Sequence, residues 1–173
     1  METKFYIQMS GPPGAGKSTI AKLLAGAIRA DVVDHDLIKS QLLEDAMPFD
    51  EASKQTYSLQ WTAAEQIMQK GFSVILDSTC NFKETLETGY ALAKKYNYRH
   101  IYVECRVDDI CLLDRRLHQR VPMRSQRRGV DEPALHAACP SGDCRAQYRQ
   151  CKLTLSQSIC SRYNHSNTAR IGS

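Results

Sequence analysis

The residues from position 11 to position 19 could hold the phosphates of a nucleotide. They read Gly-Pro-Pro-Gly-Ala-Gly-Lys-Ser-Thr and contain the G-x-x-x-x-G-K-S/T pattern of a phosphate-binding loop. Glycines let backbone N–H groups close around phosphate oxygens, and a helix that starts at the loop adds partial positive charge. The Lys17 ammonium can reach the β- and γ-phosphates, and the Ser18 hydroxyl can ligate Mg²⁺. We therefore expect ATP and Mg²⁺ to bind here, with nucleotide contacts from Gly11, Pro12, Pro13, Gly14, Ala15, Gly16, Lys17, Ser18 and Thr19.

Two acidic residues follow the short apolar run at positions 30–33. If the chain stays extended there, Asp34 and Asp36 lie on one face, because side chains alternate along a strand. A carboxylate at this point can accept the proton of a substrate hydroxyl as that hydroxyl attacks the γ-phosphate. Asp36 could instead cap a helix that starts at Leu37. The phosphate-binding loop makes catalysis the better interpretation for one of the two carboxylates.

Another carboxylate follows the apolar run at positions 72–76. Asp77 is placed like the acidic residue that holds Mg²⁺, directly or through water, in proteins with a phosphate-binding loop. The alternative is a simple turn residue at the end of a strand. Asn81 could orient a substrate or could cap the next helix, and the sequence favours neither.

Six arginines fall between positions 115 and 128. We call this stretch the arginine-rich segment. Two of its members, Arg116 and Arg120, are four residues apart and share a helical face. Guanidinium groups stabilise the charge on a phosphoryl group in transfer, so we expect a lid at about residues 107–132 in which both arginines are catalytic. A solvated basic face is the alternative. The six are Arg115, Arg116, Arg120, Arg124, Arg127 and Arg128.

Composition limits the class of protein. A chain of 173 residues with 42% hydrophobic and 24% charged residues fits one globular domain, residues 1–173. No apolar run is long enough to cross a membrane, and the first strand begins so early that no secretory signal is expected, which favours a cytoplasmic protein with its seven cysteines reduced. The net charge of +4 permits an anionic substrate but does not by itself indicate nucleic acid.

Strand and helix signals alternate along the chain, which predicts an α/β fold with a parallel sheet. Strands are expected at 5–9, 30–33, 72–76 and around 101–103, with helices between them. The tail, about residues 134–173, is less regular: a helix is possible at 145–159, and no convincing strand is visible at 162–173. We therefore predict a three-layer P-loop NTPase fold with four to five strands.

These motifs together resemble the small P-loop kinases similar to polynucleotide 5′-hydroxyl kinase and to zeta-toxin-type kinases, including short AAA-type ATP-binding proteins of fungi and bacteria. The resemblance covers about residues 4–132 and rests on the loop, on Asp36-Leu37-Ile38-Lys39, on residues 74–79 and on the two lid arginines. It implies that Asp36 is the general base. It also implies that Lys39 stands where an arginine usually fixes the substrate, and Arg115 could replace Arg116.

The sequence therefore favours an ATP- and Mg²⁺-dependent kinase that phosphorylates a hydroxyl group. Asp36 would take the proton, and Asp34, Lys39 and Asn81 would lie near the acceptor. Two alternatives stay open at this point. One is a binding module in which bound ATP switches a partner, and the other is a nucleoside monophosphate kinase. The acceptor itself is not indicated.

Overall fold

The computed structural model describes residues 3–79, 82–134 and 168–172. Its strands are β1 (Phe5–Ser10), β2 (Ala30–Asp34), β3 (Ser73–Asp77), β4 (Arg99–Arg106) and β5 (Thr168–Gly172). Its helices are α1 (Lys17–Ile28), α2 (His35–Glu44), α3 (Phe49–Gln69), α4 (Lys83–Lys95) and α5 (Ile110–Gln119). The strands form one parallel sheet in the order β2-β3-β1-β4-β5. The predicted α/β fold with a parallel sheet is confirmed.

The register of the sheet brings the candidate residues to one edge. All five residues of β3 are buried, as expected of a parallel strand covered on both faces. Strand β2 pairs with β3 so that Asp34 lies opposite Asp77. Strand β1, between β3 and β4, ends at Ser10, directly before the phosphate-binding loop. The loop and both carboxylates therefore meet at the carboxyl edge of the sheet, where α/β proteins bind ligands.

Two apolar layers sandwich the sheet because successive side chains of a strand point to opposite faces. Tyr6 packs on one face in a cluster with residues of α3 and α4, whereas Ile7 packs on the other face with residues of α1. A smaller cluster joins Leu113 and Leu117 of α5 to Val130, and Ala15 of the loop packs against it. Helix α5 is thereby fixed beside the phosphate-binding loop.

Strand β5 differs from what the sequence predicts. It pairs in parallel with β4, with Thr168 opposite Tyr102, so the expectation that residues 162–173 hold no strand is wrong. An edge strand pairs with one neighbour only, so it does not need the continuous apolar run of a buried central strand. The sequence of β5 therefore gives little indication of a strand. The possible helix at 145–159 lies outside the described residues.

Within the described ranges, no helix combines the length and the apolar character that crossing a bilayer would need.

A polar network crosses the middle of the sheet. The Gln8 amide donates through Nε2 to the carbonyl oxygen of Thr85 at 3.0 Å, and His100 Nε2 lies 2.6 Å from Gln8 Oε1. The amide oxygen can only accept, so Nε2 of His100 donates. Burial lowers the pKa of His100 to about 4, because the charged imidazolium would lose its hydration there.

This histidine is expected to make the fold acid-sensitive. The pKa of His100 is about 4 in the folded protein against 6.5 in an unfolded chain, so the unfolded chain binds the proton first as the pH falls. Stability is therefore full above about pH 6.5 and declines towards pH 4, by about 2 kcal/mol at pH 4.5. His100→Gln keeps a donor for Gln8 and should not lose the stability that depends on the His100 protonation. Urea unfolding of both proteins at about pH 6.5 and about pH 4.5 measures the loss of unfolding free energy. Equal losses in the two proteins would contradict the assignment of the acid sensitivity to His100.

Candidate active site

The phosphate-binding loop depends on glycine at three positions. Gly11 has φ +127°, and a Cβ there would overlap the carbonyl oxygen of Cys105 in β4. Gly14 and Gly16 also lie in the left-handed region, with φ values of +82° and +91°. Side chains other than hydrogen would strain the backbone at these positions. The loop can therefore lie close against the end of β4, with Gly16 as the N-cap of α1.

Lys17 lies across the loop. Its Nζ donates to the carbonyl oxygens of Gly11 at 3.0 Å and Pro12 at 3.1 Å. An ammonium group has three N–H donors, so one remains for a further acceptor. Burial lowers the pKa of Lys17, whereas the carboxylates of Asp77 and Asp36 act in the opposite direction. The lysine is thus the cation shared by both candidate carboxylates.

Asp77 and Ser18 lie together at the start of α1. The Ser18 hydroxyl hydrogen-bonds the Asp77 carboxylate, which is only 6% exposed. Burial raises the pKa of Asp77, and the Ser18 hydrogen bond and the Lys17 charge partly offset that rise. Oxygen ligands of this kind suit Mg²⁺, which binds through one or two protein groups plus substrate phosphates. The described part of the chain has no cluster of three or more His, Cys, Asp or Glu side chains able to enclose a metal.

Asp34, not Asp36, caps helix α2. The helix begins at His35, and Asp34 Oδ1 accepts a hydrogen bond from the Leu37 backbone N–H at 3.1 Å. The interpretation of Asp36 as the cap is therefore wrong. The chain does not stay extended through Asp36, so the premise that placed both carboxylates on one face also fails. Asp36 lies in the first turn of α2, and its side chain lines the cavity beside the loop.

Two residues beside Asp36 were not expected from the sequence. Gln126 Nε2 donates to Asp36 Oδ2 at 2.8 Å, and Ser125 Oγ donates to the Asp36 carbonyl oxygen at 2.9 Å. Both residues also line the cavity. Their only sequence signal was a position within the arginine-rich segment, since a single glutamine or serine has no motif of its own.

Arginines line the same cavity as the loop. Arg116 lies in the last turn of α5 and Arg120 directly follows the helix, and both line the cavity, whereas Arg115 does not. Arg120 Nη2 donates to the Arg127 carbonyl oxygen at 3.0 Å. Burial lowers the pKa of Arg120, and the Asp36 carboxylate opposes this shift. The Nε atoms of Arg120 and Arg127 are buried without an acceptor among the described residues, so both can donate to an anion.

These groups surround one cavity of about 620 Å³. The residues from Pro13 to Ile20 line it together with Asp36, Asp77 and the arginines. Arg106 and Arg127 also line it, although the sequence did not single them out for this role. A nucleoside triphosphate and a small acceptor could therefore bind side by side in this cavity, between several cations and two carboxylates.

The remaining predicted substrate residues lie elsewhere. Lys39 Nζ is 3.6 Å from the centroid of the Phe49 ring, a cation–π contact, and Lys39 is not on the cavity wall. Burial lowers the pKa of Lys39, and the negative charges of Asp36 and Asp50 partly offset that shift because they raise the pKa. Asp34 is occupied as a cap, and Asn81 lies outside the described residues. Substrate contacts by these three residues stay predictions.

A comparison with protein-family models agrees with this geometry. Residues 7–139 match the model described as an AAA domain (AAA_33). The chain belongs to this family. The matched range of the AAA domain includes the phosphate-binding loop, both cavity carboxylates and the two cavity arginines Arg116 and Arg120.

Solved structures show the same fold. One is a candidate kinase of Chloroflexus aurantiacus, with a TM-score of 0.66 and 18% identity over 99% of this chain and 89% of that one. Another is a gluconokinase of Sinorhizobium meliloti, with a TM-score of 0.55 and 12% identity over 99% and 84%. This AAA domain therefore has a kinase-like P-loop fold. The closer likeness to polynucleotide and zeta-toxin-type kinases stays a prediction.

Proposed function

We propose that this protein is a kinase that transfers the γ-phosphoryl group of ATP to a hydroxyl group of an acceptor. The observation that carries the proposal is the place of Asp36. Its carboxylate lines the same cavity as Lys17 and the phosphate-binding loop, and it is not used as a helix cap. A carboxylate that faces bound phosphates repels them, so its presence needs a chemical reason. Removing the proton of an attacking hydroxyl is such a reason.

Each group at the cavity then has a role. The loop amides and Lys17 would bind the β- and γ-phosphates, and Ser18 and Asp77 would hold Mg²⁺, which would neutralise charge on the phosphates. The acceptor oxygen forms a bond to the γ-phosphorus as the bond to the bridging oxygen of ADP breaks. ADP leaves with that electron pair. The acceptor proton passes to Asp36.

The arginines supply charge where the transferring group passes. Arg116 and Arg120 face the cavity from the end of α5, and the buried Nε of Arg120 has no described acceptor. A guanidinium can donate two parallel hydrogen bonds to phosphoryl oxygens, so it stabilises the transition state more than a point charge does. The net positive wall also suits an anionic nucleotide better than a neutral ligand.

A nucleotide-dependent binding module explains less of this geometry. Such a module needs the loop and the magnesium ligands, but it needs no base on the acceptor side of the γ-phosphate. Asp36 and the arginines therefore favour transfer to an acceptor over a switch.

A panel of hydroxyl compounds tests the proposal. The protein, γ-³²P-labelled ATP and Mg²⁺ would be incubated separately with sugars, polyols, nucleosides, nucleoside monophosphates and an oligonucleotide bearing a 5′-hydroxyl end. We expect label to enter one class and Lys17→Ala to abolish the transfer, because the variant loses its charge on the β- and γ-phosphates. Slow release of phosphate with no labelled acceptor, unchanged by Asp36→Asn, would instead support the binding module.

A further inference from the structure

The chain after α5 is attached to one face of α2. Ser40 Oγ donates to Ser125 Oγ at 2.9 Å, and the Ser125 backbone N–H donates to Ser40 Oγ at 3.2 Å. Arg124 Nη1 donates to the Leu43 carbonyl oxygen at 3.4 Å. Residues 36, 40 and 43 are spaced by four and three, so they lie on the same helical face. The turn at residues 123–126 therefore covers the face of α2 that carries Asp36.

The Gln126 amide has a fixed orientation in this turn. Its Oε1 accepts a hydrogen bond from the Met123 backbone N–H at 3.2 Å. A backbone N–H can only donate, so the amide oxygen must face Met123 and the amide nitrogen must face Asp36. The 2.8 Å contact from Nε2 to Asp36 Oδ2 is therefore a donation to the carboxylate.

We propose that Gln126 is a positioning residue, which holds one oxygen of the Asp36 carboxylate so that the other faces the acceptor hydroxyl. The inference rests on the proposed function, since it assumes that Asp36 removes the acceptor proton. Oδ2 is engaged by the amide, and Oδ1 keeps its lone pairs for the substrate. The second oxygen is thereby presented from a fixed direction, as proton transfer requires.

The charges around Asp36 explain why such a tether is useful. The carboxylate acts electrostatically on three cations, which are Lys17, Lys39 and Arg120. The terminal torsion of an aspartate is broad, so an untethered carboxylate could turn towards any of them. A carboxylate paired with a cation is a weaker base. A neutral amide holds the group in place without adding another positive charge.

Two substitutions of Gln126 test the proposal with Mg·ATP as the probe and water as the acceptor. Gln126→Met keeps the length of the side chain and removes the donor. We expect kcat for phosphate release to fall about tenfold with KM for ATP unchanged, because misplacement of a catalytic group acts on the chemical step. Gln126→Glu keeps an oxygen for Met123 but places a carboxylate against Asp36. Its deficit should be larger near pH 8 and should narrow towards about pH 5.5, as the new carboxyl gains a proton and donates again.

Two controls make the result decisive. Val121→Ala changes a side chain of the same segment that is 95% exposed and makes no contact with the carboxylate, so it should leave kcat within about twofold of wild type. The inference is overturned if Gln126→Met retains the wild-type kcat, if Val121→Ala loses as much as Gln126→Met, or if the Gln126→Glu deficit is independent of pH. A different result would show that the proposed function itself is wrong: Asp36→Asn would then leave kcat unchanged.

Discussion

Replacing Asp36 with asparagine is expected to lower phosphoryl transfer by about 10²-fold or more while ATP affinity is retained. An amide has nearly the shape of a carboxylate but cannot take up the acceptor proton at neutral pH. The loop, Lys17 and Asp77 are unchanged in this variant, so the phosphates keep their contacts. Initial rates of acceptor labelling measure the chemical step, and titration calorimetry with Mg·ATP measures the affinity.

Asp34→Asn is the matched control for this prediction. Asparagine is as good an N-cap as aspartate, so helix α2 should keep its cap and its stability. Since Asp34 is used by the Leu37 N–H and is not on the cavity wall, we expect transfer near the wild-type rate. If Asp34→Asn lost transfer and Asp36→Asn retained it, the base would be the earlier residue. Full activity in both variants would remove the general base from the account.

Replacing Arg120 with alanine is expected to lower kcat by about 10²-fold or more, with a much smaller loss of ATP affinity. The guanidinium is half-buried at the cavity, and its Nε has no acceptor among the described residues. Its strongest contacts are therefore expected when charge redistributes on the transferring phosphoryl group. Arg120→Lys should recover only part of the rate, because lysine supplies the charge without the planar pair of donors.

Arg115→Ala separates this role from the general effect of positive charge. Arg115 belongs to the same arginine-rich segment but does not line the cavity, so its removal should change kcat by about twofold or less. A solvated basic face would make Arg115→Ala and Arg120→Ala alike, with small effects that vary with salt. Steady-state kinetics at two ionic strengths measure the difference. Equal, small effects would refute the catalytic role of Arg120.

Local sequence was sufficient for the loop and for most of the sheet. The loop is a contiguous motif whose glycines have a physical reason, such as the close approach of Gly11 to Cys105. The choice between Asp34 and Asp36 was harder, because either aspartate can cap a helix. It depends on where β2 ends, and pairing with β3 extends that strand to Asp34, opposite Asp77. Long-range pairing therefore decided which carboxylate stays available.

Other features depended on contacts between distant parts of the chain. Gln126 lies 90 positions after Asp36, and its amide has meaning only because the turn packs on α2. The sequence of β5 taken by itself likewise resembles a loop, and the segment forms a strand because it pairs with β4. Periodicity and motifs report local preferences, so they did not reveal either arrangement.

The fate of the γ-phosphoryl group in a single turnover tests the central claim most directly. Enzyme in excess over γ-³²P-labelled ATP would be mixed with Mg²⁺ and an unlabelled hydroxyl compound of the class that accepts label in the panel above. The label would then be followed in ATP, in organic phosphate and in inorganic phosphate. The account predicts that wild type moves the label into organic phosphate, that Asp36→Asn binds ATP but leaves it intact, and that Lys17→Ala fails to bind. Label that appears only as inorganic phosphate, at equal rates in wild type and Asp36→Asn, would contradict it.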